Sequence, residues 1–404
     1  MFMSKLINGM KYWGQLILIP IYGLSYLMPR NKKIWLFGST FGKRFADNPK
    51  YFYLYLTQQH ASEIRPIWIS KNRDIIELLR KNNAEAYYLY SIKGIWYSLR
   101  AKVYIYDNYS KDICFLLSGG AKKFNLWHGI PLKMIQKDNE FDLIRNPRNF
   151  LEKIKGIPRR ISDEKPKDYV LTTSQFLRPI FESAFQTKNV IVNGYPRNDN
   201  LIADRIYVIS TDSERYLRNQ ILKWKEHMKV VLYMPTFRNS ESVFFNVIDF
   251  VRFQEYLQKN DIMFLVKLHP KSKLYSEFKK HKNTNMQIMN PEEDVYPILN
   301  EIDLLVTDYS SIYFDFLLTG KPIVFFPYDF KEYLSNSRKM YFNYYDFTPG
   351  KIVINQNELE LAILDIWEED TFIDERNHLK KIVFDNFTGC ASEELFHKIL
   401  QITS

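Results

Sequence analysis

Short apolar runs recur along the chain and alternate with amphipathic stretches whose apolar residues return every three or four positions. Seven such runs lie in the first half of the chain, beginning at residues 32, 64, 84, 101, 122, 168 and 189. Short apolar runs bounded by turn-forming residues are typical of strands that are buried on both faces. Strands of this kind separated by helices predict a parallel, doubly wound α/β sheet.

The same alternation begins again after a polar, strand-free stretch over residues 198–229. Six further apolar runs follow, beginning at residues 229, 261, 285, 302, 321 and 350. We therefore expect two doubly wound, Rossmann-like domains that face each other across a central cleft. We place the N-terminal domain at residues 31–200 and the C-terminal domain at 201–380, and we expect residues 381–404 to form a helix that can pack back across the domains.

Residues 1–30 form a segment of a different kind. No charged residue occurs from Tyr12 to Pro29, and cations flank this stretch on both sides: Lys5, Lys11, Arg30, Lys32 and Lys33. The apolar stretch is shorter than the roughly 20 residues that a membrane-spanning helix needs. We expect a monotopic segment that lies on an anionic membrane surface, with Trp13, Tyr22 and Tyr26 at the level of the lipid headgroups. The alternative is a helix that packs on the protein's own core.

Charge and cysteine content narrow the class of partner. The 404 residues carry a formal net charge of +10, which favours an anionic partner such as nucleic acid, acidic lipid or a phosphate-bearing substrate. The basic residues are dispersed and no nucleic-acid motif occurs, so we expect no nucleic-acid partner.

Cys114 and Cys390 are the only cysteines and lie far apart in the sequence. This predicts neither a disulfide framework nor a thiolate metal site, and it fits a reducing cytoplasm.

Familiar cofactor and metal signatures are missing from the sequence. There is no GxxxxGK[ST], GxGxxG, HExxH or GxSxG motif and no DxD metal motif. P-loop, dinucleotide, zinc-protease and serine-hydrolase chemistry therefore lack support. We expect a site without metal or cofactor, in which cations of the protein itself balance phosphate charge.

Two histidines occupy the ends of predicted strands, where open α/β sheets bind ligands. His128 follows one strand and His269 another, and turn-forming residues follow both. An imidazole at such a position can accept a proton from an attacking hydroxyl or donate one to a phosphate oxygen. Beside His128, Gly129 lets a substrate approach the backbone, Pro131 stiffens the turn and Lys133 adds a cation.

Further strand ends carry groups that suit phosphate oxygens. They offer hydroxyls, cations and a helix start, at Thr236, Arg238, Lys267, Asp308, Ser310 and Ser311. Guanidinium groups and the backbone N–H groups of a helix start both bind anions. Each residue taken alone also fits a plain turn or a helix cap, so the prediction of a phosphate site depends on the set.

An ordered series of motifs resembles the CDP-glycerol:glycerophosphotransferase family of teichoic-acid and capsule synthesis. The motifs cover most of the chain and read GSTFGKRFADNPKYFYLYL at 38, LWHGIPLKMIQKD at 126, GYPRND at 194, MPTFR at 234, LVKLHP at 265, TDYSSIYFDF at 307 and PG at 349. Four positions depart from the family's usual pattern. Ile130 stands where threonine is common, and Phe237 where tryptophan is frequent. In the closing segment FDNFTGCASEEL at 384, Thr388 replaces an aspartate and Glu394 stands where arginine is usual.

The resemblance implies a GT-B-like architecture and a peripheral enzyme on the cytoplasmic face of the cell membrane. Such an enzyme would transfer glycerol phosphate or ribitol phosphate from CDP-glycerol or CDP-ribitol to a lipid-linked saccharide or a growing polyol-phosphate polymer, and release CMP. The alternative is a nucleotide-sugar glycosyltransferase of the same architecture that acts on a lipid-linked acceptor, because one fold can carry either site.

The resemblance also assigns roles to residues. It implies that His128 and His269 are the functional pair, and we expect the first to act as general base and the second to hydrogen-bond the diphosphate. It implies donor contacts at Trp127, Gly129, Ile130, Pro131, Arg197, Pro235, Thr236, Lys267, Leu268, Ser310, Ser311 and Asp315.

Overall fold

Two parallel sheets organise the computed structural model, which describes residues 12–14, 16–163, 167–202, 209–238, 244–330, 332–333 and 339–404. The first sheet has the strand order β3-β2-β1-β4-β5-β6-β7 and the second the order β10-β9-β8-β11-β12-β13. The strands are β1 (Asn31–Phe37), β2 (Arg65–Ser70), β3 (Ala86–Tyr88), β4 (Ala101–Tyr106), β5 (Lys122–Asn125), β6 (Tyr169–Thr172), β7 (Val190–Val192), β8 (Lys229–Met234), β9 (Ile262–Val266), β10 (Met286–Ile288), β11 (Leu304–Thr307), β12 (Ile323–Phe325) and β13 (Lys351–Ile352). Each apolar run that was predicted to be a strand contains one of them. The predicted α/β class with parallel sheets is confirmed.

The strands are buried on both faces, which explains their continuous apolar character. Trp35, Leu36 and Phe37 are consecutive in β1 and have no exposed surface, and the same holds for β8 from Val230 to Leu232. Neighbouring strands pair in parallel throughout, as in β1 with β2 and β8 with β9. Crossover connections between parallel strands place helices against the sheet faces, so no alternation of polar and apolar residues is required.

The described helices lie before the first strand, between the strands and after the last one. They are α1 (Ile19–Ser25), α2 (Asp47–Gln59), α3 (Arg73–Lys81), α4 (Ile92–Arg100), α5 (Phe150–Lys155), α6 (Ile157–Asp163), α7 (Arg178–Phe185), α8 (Asp199–Ile202), α9 (Asp212–Trp224), α10 (Phe244–Val247), α11 (Phe250–Lys259), α12 (Tyr275–Lys280), α13 (Ile312–Phe316), α14 (Gln356–Glu368), α15 (Ile373–Phe384) and α16 (Ala391–Thr403). Polar caps fix several helix starts. Thr211 and Glu214 form a reciprocal capping box before α9, which satisfies two backbone N–H groups that would otherwise lack partners.

The end of the chain returns to the first sheet. The carboxylate of Asp199 accepts hydrogen bonds from the backbone N–H groups of Ala391 (2.7 Å) and Ser392 (2.9 Å) at the start of α16. Phe396 in the same helix packs on Trp35 of β1, with ring centroids 5.7 Å apart. The range 381–404 thus holds the end of α15 and the whole of α16, and α16 packs against the N-terminal domain.

The start of the chain packs on the segment that joins β4 to β5, along one side only. Tyr22 of α1 stacks on Phe115 with ring centroids 4.6 Å apart, and the Arg30 guanidinium donates to main-chain carbonyls of five residues, Ser25, Ser98, Ala101, Leu117 and Gly119. Ile17 is 80% exposed and Leu27 is 78% exposed. Among the described residues, no helix is long and apolar enough to span a membrane. Lys5 and Lys11, part of the predicted lipid-facing segment, lie outside the described residues.

Candidate active site between the two sheets

A cavity of about 270 Å³ lies between the ends of the strands of the two domains. It brings together nine of the predicted site residues: His128, Arg197, Pro235, Lys267, Leu268, His269, Ser310, Ser311 and Asp315. The two predicted catalytic histidines come from different domains, since His128 follows β5 and His269 follows β9. His128 and His269 are 141 positions apart in the sequence, and both line this one cavity.

The turn after β5 fixes the orientation of His128. The Trp127 backbone adopts φ 53° and donates its N–H to Asn125 Oδ1 at 2.9 Å, and Asn48 Nδ2 donates to the Trp127 carbonyl at 2.9 Å. The Nδ1 atom of His128 lies 3.1 Å from the main-chain carbonyl of Asp107. Because a carbonyl oxygen can only accept, Nδ1 carries the proton and Nε2 of neutral His128 is a hydrogen-bond acceptor.

Gly129 allows the two domains to approach closely beside His128. Its φ is 157°, and a Cβ at this position would lie 3.0 Å from Ser311 Oγ of the C-terminal domain. Tyr195 donates its hydroxyl to the Gly129 carbonyl at 3.2 Å and holds the turn from the other side. A larger residue would push the His128 turn away from the serine pair at the start of α13.

His269 has the opposite arrangement of ring protons. Its Nδ1 accepts a hydrogen bond from the backbone N–H of Lys271 at 3.1 Å, so Nε2 of the neutral ring carries the proton and acts as a donor. Desolvation in the cleft, together with the nearby cations Lys271, Lys267, Arg44 and Lys133, lowers the pKa of His269 to about 4. The ring is therefore neutral near pH 7 and can donate from Nε2 without a charge of its own.

Lys267 supplies a buried cation to the same wall. Its Nζ donates to the carbonyls of Pro291 (2.6 Å) and Asn290 (3.3 Å), and the residue is 6% exposed. Burial lowers the pKa of Lys267 to about 8, with a further contribution from Arg44. The ammonium group remains largely protonated at neutral pH and is more readily neutralised than a surface lysine.

Arg197 lies between the domains and is held by two carboxylates. Its Nη1 donates to Asp47 Oδ1 at 2.6 Å and to the His128 carbonyl at 3.0 Å, while Nη2 donates to Asp315 Oδ2 at 2.8 Å. Tyr296 adds a hydroxyl donor to Asp315 at 2.9 Å. Burial raises the pKa of Asp315, and the adjacent Arg197 guanidinium offsets part of this rise. Arg197 thus connects the His128 turn to α13.

The remaining predicted residues lie outside this cavity or behind its wall. Arg238 is enclosed by carboxylates, with Nη2 2.6 Å from Asp308 and 3.0 Å from Asp329, so its charge is balanced within the C-terminal domain. Asp308 also accepts the Thr236 backbone N–H at 2.9 Å. The predicted residues that are not among those lining the cavity are Trp127, Gly129, Ile130, Pro131, Lys133, Thr236, Arg238 and Asp308. Lys133 donates to the Tyr333 hydroxyl at 3.2 Å.

Sequence reasoning missed the residues that join the two domains. Lys50 of α2 pairs with Asp294 of the C-terminal domain at 2.7 Å, and both side chains are almost fully buried. Tyr51 donates to the same carboxylate at 2.9 Å, and Arg44 lies 3.3 Å from Glu292. Arg44 lies in the loop after β1, Lys50 and Tyr51 lie in α2, and Glu292 and Asp294 lie in the turn after β10, so no local spacing signals their contact. Among the described residues, no group of three metal-ligating side chains lies close enough to hold an ion.

Comparisons with known proteins show the family and the fold of this chain. The profile of the family CDP-Glycerol:Poly(glycerophosphate) glycerophosphotransferase matches residues 21–401. A teichoic acid poly(glycerol phosphate) polymerase of Bacillus spizizenii is 28% identical over 377 residues, covering 88% of this chain and 89% of that protein. A teichoic acid glycerol-phosphate transferase of Staphylococcus aureus is 28% identical over 384 residues, covering 92% of each. The solved structure of the wall teichoic acid polymerase TagF matches 99% of this chain and 98% of its own with a TM-score of 0.72 at 22% identity, which shows a shared fold.

Proposed function

We propose, because this chain belongs to the CDP-glycerol:poly(glycerophosphate) glycerophosphotransferase family, that its interdomain cavity transfers glycerol phosphate from CDP-glycerol to an acceptor hydroxyl. The chain is a transferase of teichoic-acid synthesis, and CMP is the second product. Two relatives that match over about nine-tenths of their own length carry names that refer to glycerol phosphate, and this favours CDP-glycerol over CDP-ribitol as the donor. The family match favours polyol-phosphate transfer over the nucleotide-sugar alternative.

The complementary protonation of the two imidazoles carries the mechanistic proposal. Nε2 of His128 accepts the proton of the acceptor hydroxyl, and the hydroxyl oxygen forms a bond to the phosphorus that bears the polyol. The bond from that phosphorus to the bridging oxygen breaks, and CMP leaves with the electron pair. Nε2–H of His269 and the ammonium of Lys267 stabilise the charge that develops on the leaving phosphate. Ser310 and Ser311 face the same phosphate groups.

The acceptor is a lipid-linked saccharide or the end of a growing polyol-phosphate polymer. Its hydroxyl enters from the N-terminal domain, because His128 lies on that side, whereas Lys267, His269 and the serine pair receive the donor. The same chemistry would serve a capsule-type polymer. In this arrangement Pro235, Thr236 and Leu268 contact the donor beside His269, where they line a second small cavity of about 20 Å³.

The proposal is tested with purified protein, a synthetic lipid-linked acceptor and three nucleotide donors. CDP-glycerol should give CMP and an acceptor heavier by one or more glycerol phosphates, as read by mass spectrometry. At 100 times its Kd the donor should also stabilise the fold by about 2.7 kcal/mol in thermal unfolding. Product formation and stabilisation by UDP-sugars, with neither CDP-glycerol nor CDP-ribitol active, would refute it.

We propose further that the N-terminal segment holds the enzyme on the cytoplasmic surface of the membrane as a peripheral protein. One side of α1 packs through Tyr22 on Phe115 in the segment between β4 and β5, while Ile17, Leu24 and Leu27 are exposed, Leu24 by 62%. Apolar side chains that face away from the protein beside cationic residues suit the interface of an anionic bilayer. The two sequence-based alternatives, packing on the protein and lying on lipid, thus apply to opposite sides of one short helix.

Changing Leu24 and Leu27 to serine should weaken binding to vesicles that contain phosphatidylglycerol by roughly tenfold or more. Each change removes part of the apolar area that the lipid would bury. Co-sedimentation with vesicles measures the effect, and a paired change of the exposed residues Ile354 and Leu361 on the other domain is the matched control. Equal binding of the two double variants would contradict the proposed docking side.

A further inference from the structure

Asp47 adopts an unusual backbone conformation at the edge of the active-site cavity. It begins α2 with φ 64°, in the left-handed region that residues other than glycine seldom occupy. Such conformations persist where the surrounding structure imposes them, and they are concentrated at functional sites. Here the result is a carboxylate on the cavity wall, with 21% of its side chain exposed.

This carboxylate lies beside the proposed general base. One nitrogen, Arg197 Nη1, donates both to Asp47 Oδ1 at 2.6 Å and to the His128 carbonyl at 3.0 Å. The next residue, Asn48, donates its backbone N–H to Asp47 Oδ1 and its side-chain amide to the Trp127 carbonyl. Within the described part of the chain, the hydrogen bonds to Asp47 thus fall on Oδ1. The second oxygen, Oδ2, retains its capacity to accept.

The charged groups of the cavity are unevenly distributed. Lys267 and the N–H of His269 suit a diphosphate, and Arg44 adds a cation close to them while pairing with Glu292. Beside His128, the charge of Arg197 is balanced by Asp47 and by Asp315 of α13. A carboxylate repels phosphate but accepts hydrogen bonds from hydroxyl groups. The wall around Asp47 and His128 therefore suits an uncharged polyol or sugar.

We propose that Asp47 binds the acceptor by accepting a hydrogen bond from a second hydroxyl, on the carbon next to the one that attacks. This places the attacking hydroxyl at Nε2 of His128. The inference rests on the proposed function, since it assigns the N-terminal wall to the acceptor. It predicts that the acceptor presents a vicinal diol, as the terminal glycerol of a polymer or a sugar ring does.

The test removes one functional group from the enzyme, the Asp47 carboxylate, and one from the acceptor, the second hydroxyl. The first acceptor pair ends in glycerol phosphate or in 3-hydroxypropyl phosphate, and the second is a lipid-linked saccharide or its vicinal deoxy analogue. Only one pair needs to be measured, namely the one in which the wild type accepts the member that carries the second hydroxyl. The rate with both members of that pair is then compared. Wild type should prefer that member by roughly 10- to 100-fold in kcat/KM, the value of a hydrogen bond to a charged group. Asp47→Gly, which removes the carboxylate and tolerates the positive φ, should abolish this preference.

Three controls separate this role from a structural one. Asp47→Asn tolerates the same backbone conformation and keeps one oxygen, so it should retain part of the preference. The affinity for CDP-glycerol, measured by calorimetry, should change by less than about twofold in both Asp47 variants, because donor contacts lie on the other wall. Asp261→Gly makes the same change at another aspartate with positive φ, 50°, outside the cavity, and should behave as wild type.

Each outcome decides a separate question. An Asp47→Gly variant that loses activity equally with both members of the pair, or that keeps the wild-type preference, overturns the assignment of Asp47. The same holds for a variant that binds the donor less tightly. If the wild type releases no CMP from CDP-glycerol or CDP-ribitol with any acceptor, the proposed function itself is refuted.

Discussion

Replacement of His128 by alanine should lower kcat for CMP release by about 100-fold or more, while thermal unfolding stays close to that of the wild type. The ring holds its proton on Nδ1 through the Asp107 carbonyl, which leaves Nε2 to receive the proton of the acceptor hydroxyl. Alanine removes that acceptor. The side chain faces the cavity, so its loss creates no void in the core. Steady-state CMP release at saturating CDP-glycerol measures the effect.

His378→Ala is the matched control for this experiment. His378 lies on the exposed side of α15 and does not line the cavity, so its variant should turn over at the wild-type rate. His128→Ala should also retain its affinity for CDP-glycerol, because the proposed phosphate contacts at Lys267, His269, Ser310 and Ser311 are unchanged. A His128→Ala enzyme with near-wild-type turnover would show that another group accepts the proton.

Replacement of Arg197 by methionine should reduce the free energy of unfolding by about 3–5 kcal/mol, the usual cost of removing one partner from a buried ion pair. The side chain is 2% exposed and serves Asp47 and Asp315 together, so methionine would leave two carboxylates without their cation. Asp315→Asn introduced into Arg197→Met should recover part of the loss, because it removes one unpaired buried charge. Denaturant unfolding of the wild type and these two variants gives the values.

Arg252→Met provides the comparison at the surface. Arg252 is 3.1 Å from Glu360 and its side chain is 45% exposed, so the change should cost no more than about 1 kcal/mol. Similar small losses for the Arg197 and Arg252 variants would mean that the interdomain ion pairs contribute little to stability. The Arg197 variant should also lose activity, since its guanidinium holds the His128 carbonyl.

The sequence by itself determined the strands, their parallel arrangement and the polar residues at their ends. Each apolar run became a strand, because strands buried on both faces must be continuously apolar, and this signal is local. Parallel sheets bind ligands at the carboxyl ends of their strands, so His128, Lys267, His269 and Ser311 could be assigned to a site from their positions alone. The ordered motifs identified the chemistry of the family.

Only the tertiary structure decided how the two halves of the site meet. Arg197 and Asp315 are 118 positions apart, and their ion pair depends on the docking of two domains. The same docking brought Asp47 into the cavity and paired Lys50 with Asp294. Folding of the C-terminal half alone paired Arg238 with Asp308 and Asp329. The tautomers of His128 and His269 are set by a carbonyl and a backbone N–H whose positions follow from the folded turns. Hydrophobic periodicity indicates which residues of a single helix or strand are buried. The contacts named here depend instead on how several helices, strands and loops are placed relative to one another.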